Sequence, residues 1–175
     1  MDGTFHSTLS VGHTEILGAL RKGWEIWGLS SMGAIRAAEM HHLGMRGFGD
    51  VFDRYVADPD FSDDEVTMLH SPTEPYVSFS EPMIHIRQFV DHLAHREIIS
   101  VNDADEAKSF FKNRWYGDRS LGRLRQYLIR EQALPVSLLD EEMGAFERFR
   151  VKTIDLARFM EVCPWKSRPN ATTQG

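Results

Sequence analysis

Gly28-Leu-Ser-Ser-Met-Gly-Ala-Ile-Arg-Ala-Ala-Glu39 decides how the chain is read, because it passes from one secondary structure to another within a few residues. Just upstream, Trp24-Glu-Ile-Trp27 is short, aromatic and β-branched, the character of a buried strand, while Ala34 to Met40 is rich in strong helix formers. Ser30 and Ser31 are thereby placed at a helix N-terminus. There the first backbone N–H groups lack intrahelical partners and the dipole is positive, so main chain alone can hold an anion or a developing oxyanion. A serine so placed is either an N-cap or a nucleophile, and capping is the ordinary role of an isolated one. Two serines between Gly28 and Gly33 move the balance toward chemistry. The arrangement approximates a nucleophile elbow, in which glycines let the backbone crowd around an exposed hydroxyl, although its spacing departs from Gly-x-Ser-x-Gly. Ser30, Met32 and Gly33 would then surround the oxyanion.

Working outward, Val11 to Lys22 reads as an amphipathic helix, with Ile16, Leu17 and Leu20 on one face and Arg21 and Lys22 near its C-terminus. His13 and Glu15, close to its start, have solvated or capping roles on residue type alone. On the other side, Gly44, Gly47 and Gly49 space a loop between two helices without the dinucleotide-binding fingerprint. Arg36 and Glu39 are three apart on the signature helix and can pair across its surface. Alternatively, the Arg36 guanidinium suits a carboxylate or thiocarboxylate. The acidic run Asp58-Pro-Asp-Phe-Ser-Asp-Asp-Glu65 lacks EF-hand spacing and reads as a solvated turn. Glu65 to His70 alternates weakly as a second strand ended by Pro72 and Pro75. Ser80-Glu-Pro82 reads as a helix start, with Ser80 as N-cap.

From Met83 to about Val162 the chain is expected to be helical. Ile84, Ile86, Phe89, Val90 and Leu93 suit one buried face, Asn102 can cap the next helix, and Leu139, Met143, Phe146, Phe149 and Leu156 recur at helical spacing. His92 and His95 offer too few ligands for a metal, so no metal and no cofactor is expected. Lys112, Arg114, Arg119, Arg123, Arg125 and Arg130 read as a solvated basic face or one that docks an acidic protein. With 175 residues and 42% hydrophobic content the chain can bury one real core, and a single domain is expected. A net charge of −6 argues against general nucleic-acid or anionic-membrane binding. The lone Cys163 excludes an intramolecular disulfide, and no apolar run approaches the ~20 residues of a membrane span. A cytoplasmic protein is expected.

Gly28 to Met40, followed by Leu43-Gly-Met-Arg-Gly-Phe-Gly49, resembles the signature block of TfuA-like proteins, and flanking pieces agree in order. Asp2-Gly-Thr-Phe-His6 is similar to the family's Asp-Gly-x-Phe-His. His13-Thr-Glu-Ile-Leu17, which contains Glu15, resembles His-Lys-Glu-Ile-Leu. Asp63-Asp-Glu-Val66 matches the acidic Asp-Asp-Glu-Val run through Asp64 and Glu65, and Ser80-Glu-Pro-Met83 with Arg87 matches Ser-Glu-Pro-x. Family members carry residues ahead of the first piece, whereas here Met1 directly precedes Asp2. This fits a short member or a trimmed start, and a missing strand would leave a sheet edge unpaired.

The resemblance implies a partner of YcaO enzymes, which activate a peptide backbone amide. In thioamidation of such peptides the TfuA-like partner is thought to release sulfide from the thiocarboxylate of a ubiquitin-like sulfur carrier, and to help YcaO engage its precursor peptide, a step of RiPP biosynthesis. It also implies a hydrolase-like Ser–Lys pair. The serine carries over to Ser31, but this chain has Thr14 at the position of the lysine, and a threonine hydroxyl cannot serve as that base. His13 becomes the replacement candidate, since imidazole titrates near neutrality.

The fold class expected is α/β, a small N-terminal sheet wrapped by helices and a helical C-terminal half. Residues 1–166 would form the TfuA-like domain, with a signature core over 1–90, a helical part over 91–166 and a polar tail over 167–175. The function expected is that of a YcaO accessory releasing sulfide through Ser31. The alternative is a non-catalytic partner that binds YcaO and its substrate.

Overall fold

The structure, a computed structural model, describes residues 10–166. The Asp2-to-His6 piece, the chain start and the polar tail lie outside the described residues. Among those described, Val11–Ala57 together with 152–166 form one compact unit, and Asp58–Val151 form another.

The first unit is built on a strand–helix–strand crossover. Strand β1 (Trp27–Leu29) runs into helix α2 (Met32–Met40), and the chain returns as β2 (Arg46–Phe48), parallel to β1 with Trp27 opposite Arg46, Gly28 opposite Gly47 and Leu29 opposite Phe48. A parallel pair needs such a crossover, because a tight turn can join only antiparallel strands. The chain is therefore α/β, as the sequence indicates. The second strand, however, is Arg46–Phe48 and not Glu65–His70. The latter begins with a 3-10 turn over Asp63–Glu65 and reaches only an isolated bridge from His70 to Ser78. Alternation of side chains suggested a strand there, but no parallel partner is brought to it.

Gly28 and Gly47 are packing contacts, whereas Gly44, at φ of +102° with open space beside it, is a turn glycine. A Cβ on Gly28 would overlap the Gly33 carbonyl, and one on Gly47 would overlap the Phe52 ring, so α2 and α3 (Asp50–Ala57) can approach the strands only because these positions are bare. Helix α1 (His13–Arg21) contributes Ile16 to a small core with Ala37, Met40 and Met45. The last helix, α8 (Val151–Val162), brings Phe159 edge-on to Trp27 and Phe48, with centroids 5.6 and 5.3 Å away. It also carries Asp155, wholly buried, whose carboxylate accepts from Asp50 N at 2.9 Å and Val51 N at 3.0 Å and so caps α3. Burial pushes this carboxyl above the usual carboxylate range even against those N–H groups.

The second unit is helical. Helices α4 (Met83–His95), α5 (Val101–Lys112), α6 (Leu121–Arg130) and α7 (Val136–Gly144) enclose Phe89, Phe111, Leu124, Leu128 and Leu139, joined by Phe146 and Phe149 from a 3-10 turn. Two caps differ from expectation. Ser100, not Asn102, caps α5, its Oγ accepting from Asp103 N. Ser80 is not an N-cap: α4 starts after Pro82, while Ser80 Oγ accepts from Leu69 N at 2.7 Å and fastens the preceding loop.

Candidate functional site

The turn between β1 and α2 is strained. Ser30 has φ of +67°, and Ser31 N donates to Leu29 O at 2.8 Å, which makes Ser30 the centre of a γ-turn of the rare, strained hand. Something must hold it there. Ser30 is 2% exposed, and its hydroxyl donates to Lys152 O at 2.8 Å, so the start of α8 pins the turn.

Ser31 is placed differently. It occupies the N-cap position of α2, yet its hydroxyl makes no capping bond and no other hydrogen bond among the described residues. The first helix N–H to find a backbone acceptor is that of Ala34, which bonds to Ser31 O at 2.8 Å. The N–H groups of Met32 and Gly33 find none among the described residues. Ordinary capping would have engaged the Ser31 hydroxyl with the N–H of Gly33 or Ala34. A hydroxyl and two consecutive N–H donors are thus left unengaged at one helix start, an arrangement suited to an oxyanion or carboxylate oxygen.

The other predicted residues of this unit gather elsewhere. His13 Nε2 lies 2.8 Å from Glu39 Oε2, which also accepts from Arg36 Nη1 at 2.8 Å. Glu39 is two turns along α2 from Ser31, about 12 Å of helix rise at ~1.5 Å per residue. The pairing of His13 with Ser31 is therefore not formed: the imidazole faces a carboxylate. Thr14 is exposed on α1. Glu15 has the capping role, its Oε2 accepting from Gly12 N at 2.8 Å. Arg36 pairs with Glu39 as its spacing suggested, while its Nε is buried without a hydrogen-bond partner among the described residues.

In the second unit the motif residues meet one another. Arg87 makes a two-pronged contact with Glu65, at 2.9 and 2.8 Å, and Glu65 is buried. Lys112 bonds Asp64 and lies 3.0 Å from Glu65. Arg119, 1% exposed, donates to Asp64 Oδ2 at 2.5 Å and to the carbonyls of Asp64, Phe111, Lys112 and Arg114. Burial alone would raise the Asp64 carboxyl, but bonds from Lys112, Ser62 and Arg119 outweigh it and hold it at about 2. The acidic run is accordingly not a solvated turn at its C-terminal end, and Arg119 does not belong to a solvated face. Glu81 is likewise enclosed. Burial opposes its charge, yet His85 Nδ1 at 2.9 Å and Arg150 at 2.6 Å keep it below the usual range.

Sequence reading missed Asp155, Lys152 and Arg150, which act on partners 69 to 122 positions away. No local periodicity carries such a pairing. His92 pairs with Glu142 at 2.9 Å, and no group of three or more potential metal ligands occurs among the described residues.

A family model described as TfuA-like protein matches residues 2–120. The match runs past Arg87, the last motif residue read from the sequence, and takes in Lys112 and Arg119, the two side chains that hold Asp64. No curated protein matches the chain.

Proposed function

The chain belongs to the TfuA-like protein family, and from that premise we propose that it is an accessory to a YcaO enzyme in peptide backbone thioamidation, acting on the thiocarboxylate terminus of a ubiquitin-like sulfur carrier. The observation that carries this reading is the start of α2, where the Ser31 hydroxyl and the N–H groups of Met32 and Gly33 are all unengaged. In the hydrolytic cycle Ser31 Oγ attacks the thiocarboxylate carbon and its proton passes to a base. The carbon–sulfur bond breaks, hydrosulfide leaves, and water then cleaves the acyl ester to give the carboxylate and free serine. The net reaction consumes one water and needs no oxidant. The two N–H groups would hold the oxyanion, a contribution of ~3–4 kcal/mol to lowering the barrier.

A second reading is favoured by a specific observation. Thr14 is exposed and His13 is turned to Glu39, so no amine or imidazole is hydrogen-bonded to Ser31 among the described residues. In this reading the same helix start binds the carrier's terminus or YcaO's substrate without breaking a bond.

Sulfide release from a thiocarboxylated carrier separates the two. In the hydrolytic reading the parent chain releases sulfide and Ser31→Ala lowers the rate at least ~100-fold. If only Thr14→Lys releases sulfide, the chain binds without catalysing. If neither releases sulfide nor binds the carrier, both readings fall.

A further inference from the structure

Six basic side chains fall between Lys112 and Arg130, and the fold divides them into two sets. Lys112 and Arg119 turn inward to Asp64, and Arg125 makes a two-pronged contact with Asp140 at 2.6 and 3.0 Å. Arg114, Arg123 and Arg130 remain, and all three line one open hollow of about 270 Å³. Aromatic rings share its lining: Phe110 and Tyr127 lie 4.3 Å apart, and the Arg114 guanidinium sits over Phe110 at 4.1 Å. The buried Arg119 donates to Arg114 O at 3.0 Å, which fixes the backbone that carries this guanidinium. Arg123 meets Asp118 at 3.2 Å, whereas Arg114 and Arg130 have no carboxylate partner among the described residues. Glu131 is the one acid on the lining, so the hollow keeps a surplus of positive charge.

We propose that this hollow docks an acidic peptide segment of a partner protein, with carboxylates on the arginines and an apolar side chain between them on the Phe110 and Tyr127 rings. Charge sign selects the partner. The chain as a whole stands at −6, so an acidic partner is repelled by most of its surface and drawn to this patch, which sets its orientation. Spacing selects the form. Arg123 and Arg130 lie on one face of α6, two turns apart, about 10 Å of helix rise. Carboxylates three residues apart in an extended peptide are separated by the same distance, at ~3.3 Å per residue. A single compact anion would engage one end only. Guanidinium forks match carboxylates, and the rings give the intervening side chain a surface to cover. A nucleic-acid strand would bring a phosphate charge at every step to a chain of the same sign, and three arginines release few counterions in return.

The probes are two capped synthetic peptides, one with the core Glu-Gly-Phe-Glu and one with Gln-Gly-Phe-Gln, titrated into the full chain and followed through the ring resonances of Phe110 and Tyr127. The acidic peptide is expected to bind about tenfold more tightly at low salt, and raising the salt to about 0.2 M should remove most of that preference. Arg114→Gln and Arg130→Gln should each cut its affinity about three- to fivefold. Arg125→Gln, which removes the same charge from the Asp140 pair, should leave it within about twofold. Core methyl resonances of Leu124 and Leu128 that match the parent show that each variant is folded. Equal affinity for the two peptides, or no ring shift at millimolar concentration, overturns the proposal. So does an equal loss in Arg125→Gln, which would reduce the effect to net charge, and so does tighter binding of a thymidine oligonucleotide than of the acidic peptide. The readout is peptide binding and not sulfide release, so this inference and the Ser31 chemistry fail separately.

Discussion

The motif residues of the two units are engaged differently. In the helical unit Glu65 meets Arg87, Asp64 meets Lys112 and Arg119, and Glu81 meets His85 and Arg150. Those side chains satisfy each other. In the strand–helix–strand unit, by contrast, the Ser31 hydroxyl, the Met32 and Gly33 N–H groups and Arg36 Nε have no hydrogen-bond partner among the described residues. Motif residues that look alike in a sequence are therefore of two kinds. A paired charge has been consumed by architecture, whereas an unmet donor at a helix start is still able to meet a ligand. Substitutions in the first set should be read in stability, and substitutions in the second in chemistry.

The largest effect is expected from Arg119→Met. It would leave Asp64 with Lys112 and Ser62 and would strip four backbone carbonyls of a buried donor. Breaking a buried pair by removing one partner costs about 3–5 kcal/mol, measured as a fall in the urea midpoint with an unchanged slope. A loss under about 1 kcal/mol would mean that the network is dispensable and that the contrast between the units is overstated. Next comes Gly28→Ala. Its new methyl would run into the Gly33 carbonyl, which is backbone and has little room to yield, so about 1–3 kcal/mol should be lost. Because β1 or α2 must shift to admit it, the helix start carrying Ser31 should lose its geometry as well.

Acid titration sharpens the comparison further, because the two units carry carboxyls displaced in opposite directions. Asp64 is held at about 2, so its contribution is complete above the ordinary carboxylate range near 3.8 and is lost as pH falls toward 2. After discounting for its partial exposure, that is on the order of 1 kcal/mol, and Asp64→Asn should flatten this part of the stability profile. Asp155 is raised instead, so its effect is favourable below about 3.8 and is lost as pH rises through its folded value. Asp155→Asn should therefore steepen the acid loss, and the same direction of change in both variants would contradict the assignment.

The β1-to-α2 turn was legible in the sequence because a strand, two serines and a helix follow each other within one local stretch. The same locality exposed α1, the helical half and the Arg36–Glu39 pair. Strand β2 was hidden, since Arg46-Gly-Phe48 is too short for a period and its pairing depends on glycines whose purpose is visible only when Gly28 faces Gly33 and Gly47 faces Phe52. The partners of Glu65, Glu81 and Ser30 were hidden for a different reason. An ion pair or hydrogen bond across many tens of residues leaves no spacing to read, and acidic runs and basic runs look solvated until folding brings them together.

The smallest effect on stability is also the most discriminating, because Ser30 and Ser31 are neighbours with opposite engagements. Ser30→Ala removes the hydroxyl that bonds Lys152 O and leaves a non-glycine residue at φ of +67°, so about 1 kcal/mol should be lost. Ser30→Gly loses the same bond but is at ease at that φ, so it should be less destabilised than Ser30→Ala. Ser31→Ala removes a hydroxyl with no partner among the described residues and should leave stability within ~0.5 kcal/mol of the parent. A Ser31 variant as costly as Ser30→Ala would mean that the hydroxyl supports the fold after all. Stability retained together with sulfide release lost would place Ser31, and not Ser30, at the reacting carbon, since only a group the fold does not use can be removed at no cost to the fold.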